Sequence, residues 1–165
     1  HTEVRRQRQM CIRDRDDDLP WEALGECDGL FVTAADAPLL KACRSAAVLA
    51  ATPRVRLPVL QQAGVQLDAL IGSGLDSGER VELEQLNPAP CALIRTEGAA
   101  GGHSLPGGRY DPAALPGPLV ESYGCGDSFA AGVVTALAAR WSLTRAIALG
   151  AQCGAACATR FGPYG

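Results

Sequence analysis

The sequence predicts an α/β fold, a mostly parallel sheet with helices on both faces. Three observations point there. Short apolar runs alternate with helix-like segments between residues 29 and 95, the pattern of βαβ units. A glycine-bracketed turn at 124–126 runs straight into a strongly apolar helix. The 165 residues, 47% hydrophobic and 20% charged, have the composition of an ordinary globular domain able to bury one sizeable core.

Taken in order, Gly29 to Ala34 is bounded by turn residues and reads as a buried strand. Asp36, able to cap, and Pro38 in the first turn start a helix through Leu39, Leu40 and Cys43. Ala46 to Ala51 is a second strand, Pro53 to Gly64 a helix closed by its glycine, and Val65 to Ile71 a third strand. Asp76 to Leu86 reads as an acidic surface helix, and Cys91 to Arg95 as a fourth strand ending at Thr96-Glu97-Gly98. The segment from Gly98 to Pro118 is too rich in glycine and proline for a helix. It is a loop or a small β excursion, with Gly107-Gly108 as its hairpin turn. A strand at Val120 is expected to feed the glycine turn, and two apolar helices, Asp127 to Trp141 and Ser142 to Arg160, close the chain.

The first fifteen residues stand apart. They have no apolar periodicity, and their core, RRQRQMCIRD, resembles the conceptual translation of a sequencing-library adapter. The alternatives are a disordered basic arm or a nucleic-acid or membrane tether. Set aside as non-native, residues 1–15 leave 16–165 as a chain that begins abruptly inside a fold. Those first residues carry five arginines, so the remainder holds ten basic and sixteen acidic side chains, a net charge of -6. Nucleic acid is a poor partner for such a surface.

No membrane partner is expected either, because the longest charge-free stretches, 128–139 and 146–159, fall short of the roughly 18 apolar residues of a membrane span. The basic start lacks the apolar core of a secretory signal, so a cytoplasmic protein is expected. The seven cysteines contain no CxxC pair, which argues against a disulfide framework or a zinc ribbon. Cys153 and Cys157, at i and i+4, read as packing residues rather than metal ligands.

The chemistry is concentrated in Val120 to Gly132, VESYGCGDSFAAG. Backbone amides of Gly124, Cys125, Gly126 and Asp127 would converge at the positive end of a helix dipole, and the glycines would let a phosphate approach closely. Asp127 has two readings, a helix cap or a general base that accepts a hydroxyl proton while the turn stabilises a phosphoryl group.

Glu121-Ser122-Tyr123-Gly124-Cys125-Gly126-Asp127-Ser128-Phe129 resembles D-T-x-G-A-G-D-x-F, the C-terminal signature of PfkB-type, ribokinase-like carbohydrate kinases. The resemblance implies that Asp127 is the catalytic base and that Gly124, Cys125 and Gly126 form the anion hole. Glu121 in place of Asp puts in doubt the monovalent-cation site that many relatives build nearby. Thr96-Glu97-Gly98-Ala99-Ala100-Gly101 is similar to the family's T-x-G-x-x-G, which implies nucleotide contacts at Thr96, Gly98 and Gly101. Asp76-Ser77-Gly78-Glu79 resembles N-x-x-E, with Asp for Asn, which implies a magnesium environment at Asp76 and Glu79; an acidic helix start explains the same residues. The small-residue helix 146–159, followed by Gly162, resembles the family's last helix beside the adenine, though small residues also suit plain packing.

The resemblance covers residues 20–165 but only the later half of a family member. It implies an ATP-dependent kinase with Mg2+ and a small-molecule sugar or related alcohol as acceptor, and it leaves room for a monovalent cation and for a homodimer of the full-length protein. The sugar-holding half is missing from this reading, so the chain alone is expected to be inactive and poorly stable. A vitamin or nucleoside kinase and a non-catalytic relative are the alternatives. Other nucleotide and hydrolase signatures are absent: Lys41 is the only lysine and belongs to no P-loop, and neither G-x-G-x-x-G nor G-x-S-x-G occurs.

Overall fold

In the computed structural model, residues 21–161 are described; the adapter-like segment 1–15, the acidic stretch after it and Gly162 lie outside them. Four parallel strands come first: β1 (Gly29–Val32), β2 (Val48–Ala51), β3 (Ala69–Ser73) and β4 (Leu93–Thr96). An antiparallel pair, β5 (Gly102–Leu105) and β6 (Gly108–Tyr110), continues the same six-stranded sheet, whose spatial order is the order of the sequence. The β excursion after residue 98 is therefore a hairpin that widens the sheet beyond β4.

The helices lie on both faces, as the pattern predicts. Alternate strand residues point to opposite sides. Leu49, Ala51, Leu70 and Leu93 join Leu40 of α1 (Ala37–Cys43) and Leu60 of α2 (Leu57–Ala63) in one core. Ala50, Ala69, Ile71 and Ile94 join Phe129 and Val133 of α3 (Cys125–Ala138) and Ala146 and Ile147 of α4 (Leu143–Ala158) in the other. Asp36 caps α1 as expected, accepting the Leu39 amide at 2.9 Å. α3 and α4 pack closely at Gly132, where a Cβ would lie 2.9 Å from both the Gly150 Cα and the Cys153 sulfur.

Four elements differ from the sequence reading, each for a physical reason. The expected helix 53–64 is two pieces, a 3-10 turn Pro53–Val55 and α2, because Pro58 has no amide to continue a ladder and Arg56 between them takes φ 71. The third strand starts at Ala69 rather than Val65. Ahead of it the Asp68 carboxylate accepts the Leu49 amide at 2.7 Å and Arg44 Nη1 at 2.7 Å, replacing ladder bonds. The expected acidic helix 76–86 is two 3-10 turns, Ser77–Glu79 and Leu83–Gln85, because Glu79 turns inward and Val81 and Leu86 are buried. No strand forms at Val120, whose amide instead donates to the Ala158 carbonyl at 2.8 Å.

Candidate active site

The N-terminus of α3 begins at Gly124, whose φ of 79 suits glycine and turns the chain into the helix. The Ser128 amide makes the first helical bond, to the Gly124 carbonyl at 2.9 Å. Of the four amides expected to converge, that of Cys125 is occupied by the Ser122 carbonyl, at a long 3.3 Å. The amides of Gly126 and Asp127 have no acceptor among the described residues, and no side chain caps the end. They remain as donors where the dipole is positive. A Cβ on Gly126 would meet no atom within 4 Å, so the approach to these donors is open. Asp127 is the exposed third residue of the helix, and the simple capping role is not what it does.

Beside this turn lies a cavity of about 470 Å³. Cys125 and Gly126 form one part of its wall, and Thr96, Gly98 and Gly101 another, so the two glycine turns meet across one space. Gly124 and Asp127 are not among its lining residues. The 96–101 turn is rigidly built. The Glu97 amide donates to the Gly101 carbonyl at 2.7 Å, and Arg109 of β6 donates to the Glu97 carboxylate at 3.1 Å and the Ala100 carbonyl at 2.9 Å. Gly101, at φ 80, lies so close to the Tyr110 carbonyl that any side chain would collide with it. Tyr110 stacks on Phe129 with ring centroids 6.1 Å apart, and burial, helped by the Glu97 charge, pushes its hydroxyl pKa up. The remaining wall is apolar: small residues of α4, Ala151, Gly154, Ala155 and Ala158, face Leu115 and Leu119 of the 111–122 loop. The space suits a flat apolar group whose anionic end reaches the turn amides.

Asp76 and Glu79 lie elsewhere, after the carboxyl end of β3. Asp76 Oδ1 accepts the Gly78 amide at 2.8 Å. Glu79 Oε1 accepts Arg54 Nε at 2.6 Å and its Oε2 accepts the Ser73 amide at 2.8 Å, and the side chain is only 6% exposed. Both Glu79 oxygens are thus engaged in a buried site. Among the described residues no group of three or more His, Cys, Asp or Glu side chains is placed to hold a metal ion. Arg54 was not anticipated. Its bond to Glu79 raises its pKa, and the charges of Asp127 and Asp76 add to this, so the guanidinium belongs to the same acidic neighbourhood as the exposed Asp127.

The family model for pfkB family carbohydrate kinases matches residues 79–165, more than half of the chain. The chain belongs to this family. The same fold recurs in a ribokinase from Thermotoga maritima, with TM-score 0.66 and 18% identity over 88% of this chain and 55% of that one. It recurs also in a nucleoside kinase from Methanocaldococcus jannaschii, with TM-score 0.62 and 16% identity over 87% of this chain and 56% of that one. A ribokinase from Cryptococcus neoformans in complex with ADP gives TM-score 0.60 and 21% identity over 77% of this chain and 51% of that one. The chain thus spans little more than half the length of these kinases. No curated protein matches the sequence significantly. No helix among the described residues is long and apolar enough to cross a membrane.

Tyr110, Arg109 and the 111–122 loop were not singled out by motif. A signal for Tyr110 was present, since an aromatic residue two positions after a glycine hairpin turn falls on the strand returning toward the first glycine loop. Arg54 offered none, because its role depends on a bond to a residue 25 positions away.

Proposed function

We propose that this pfkB family chain carries the nucleotide-binding and phosphoryl-transfer part of an ATP-dependent kinase acting on a hydroxyl of a sugar or sugar-like alcohol. The observation that supports it is the meeting of two glycine turns, 96–101 and 124–126, on one cavity, with an exposed carboxylate one residue beyond the second. The base of ATP would lie between the small residues of α4 and the 96–101 turn. Its phosphates would extend toward the amides of Gly126 and Asp127, which stabilise charge as it develops on the transferred group. Asp127, exposed and next to the lining Gly126, would accept the acceptor's proton. Magnesium and a monovalent cation enter this reading only with the nucleotide's phosphates, and no step here runs through either. The chain alone would bind nucleotide without transferring phosphate, because the in-line placing of an acceptor supplies much of the rate. A nucleoside acceptor, and a homodimer of the longer protein, fit the same fold.

The test is Asp127→Asn in a full-length version. Phosphoryl transfer should fall on the order of 10²–10⁴-fold while ATP binding, measured by calorimetry, stays within about threefold. Turnover at the parental rate would remove Asp127 as the base.

A further inference from the structure

We propose that Cys125 and Cys157 are a redox-active thiol pair, joined under a hydroperoxide into a disulfide that closes the nucleotide cavity; the second part rests on the nucleotide reading above. Cys125 is the first residue of α3 and lines the cavity, whereas Cys157, in the last turn of α4, is 7% exposed. Both sulfurs hang on the same short piece of chain. Cys125 Sγ points to the Glu121 carbonyl at 3.9 Å, and Cys157 Sγ donates to the Tyr123 carbonyl at 3.5 Å. The helices meet at this point, since a Cβ on Gly154 would lie 3.2 Å from the Cys125 carbonyl oxygen. The Cys157 thiol is near enough to add to the upward shift of the Cys125 pKa. The family signature carries alanine where Cys125 stands, so the anion-binding turn itself has no need of a thiol.

The chemistry balances with one hydrogen peroxide, the simplest hydroperoxide. The cavity-facing Cys125, as thiolate, attacks a peroxide oxygen; the O–O bond breaks, a sulfenic acid forms and the departing hydroxide leaves as water. The buried Cys157 then attacks that sulfur, the S–S bond forms, the S–O bond breaks and a second water leaves. The two thiols supply the two electrons that reduce the peroxide. Burial, then the Cys157 thiol and the Glu121 charge, push the Cys125 pKa up to about 11. The pair is therefore slow to oxidise at neutral pH and faster as pH rises. A disulfide brings two Cβ atoms to about 3.8 Å. Such a link would draw the start of α3 against α4, misplacing the Gly126 and Asp127 amides and narrowing the wall that holds the nucleotide.

The experiment uses diamide, which removes the same two hydrogens and leaves no stable product on a lone thiol, with ADP as the binding probe. Unreduced peptide mapping should find Cys125 joined to Cys157, more rapidly at alkaline pH. ADP affinity should fall at least about tenfold and return with dithiothreitol. Cys157→Ala should bind ADP as the parent does and keep that affinity after diamide. The second thiol neighbourhood, Cys27 beside Cys43, lies away from the cavity, so a link there with Cys125 still free would overturn the proposal. A mapped Cys125–Cys157 bond with unchanged ADP affinity would overturn the switch. Failure of the reduced chain to bind ADP at all would overturn the nucleotide reading and the switch with it, while the mapped bond would still establish the pair.

Discussion

The two faces of the sheet are packed differently. Under α1 and α2 the core is built of large side chains, with Leu40, Leu49 and Leu70 fully buried and Leu60, Leu67 and Leu93 nearly so. Under α3 and α4 half of it is alanine, Ala50, Ala69, Ala92, Ala130, Ala136 and Ala146, alongside six larger residues. Large residues fill the space between a sheet and short helices without voids, so the first face supplies stability. Small residues bring two longer helices close to the sheet and to each other, and at the carboxyl ends of the strands this leaves room for a ligand. The same sheet thus separates the leucine-rich core from the face that borders the cavity.

That contrast can be broken most decisively on the first face. Leu70→Ala removes a fully buried side chain from the middle of the sheet, where it neighbours Ala51 on β2 and Leu93 on β4. Truncations of this kind cost about 2–5 kcal/mol, depending on how far the site collapses. Denaturant unfolding should show that loss. A cost under about 0.5 kcal/mol would mean that this face is loosely packed and that the comparison is wrong.

The second face should answer in the opposite way. Ala155→Leu adds bulk to the cavity wall rather than to a packed core. ADP affinity should fall at least about tenfold, or 1.4 kcal/mol, with unfolding stability nearly unchanged. A stability loss of about 1–3 kcal/mol, as for an overpacked core, would show that the wall around Ala155 is not open.

How much of this division was legible in the sequence follows from the range of the interactions involved. The apolar runs of β1 to β4, the cap at Asp36 and the hairpin at Gly107-Gly108 carry local signals, and the sequence shows them. Thr96, Gly98 and Gly101 line the same cavity as Gly126, in keeping with the rule that loops gather at strand ends. Glu79 was misplaced because its inward turn is set by Arg54, 25 residues earlier in the chain, and by the Ser73 amide. The same distant bond replaced an expected helix with two short turns. The amide of Cys125 was counted among the open donors because turn chemistry does not reveal that Ser122 folds back to accept it.

The smallest effect tests whether the first face is indifferent to the site. Asp36 is exposed, and its carboxylate satisfies the Leu39 amide at the start of α1. Without it that donor falls to water and the helix start frays, a loss of about 1 kcal/mol for caps of this kind. Asp36→Ala should therefore lower the unfolding midpoint slightly. Asp36→Asn, which can accept the same bond, should restore most of it. ADP affinity should be unchanged in both variants, because α1 packs on the leucine face and contributes no residue to the cavity. If Asp36→Ala weakened ADP binding beyond about twofold, a change on one face would be reaching the other through the sheet. The central strands would then be coupling the two cores rather than insulating them.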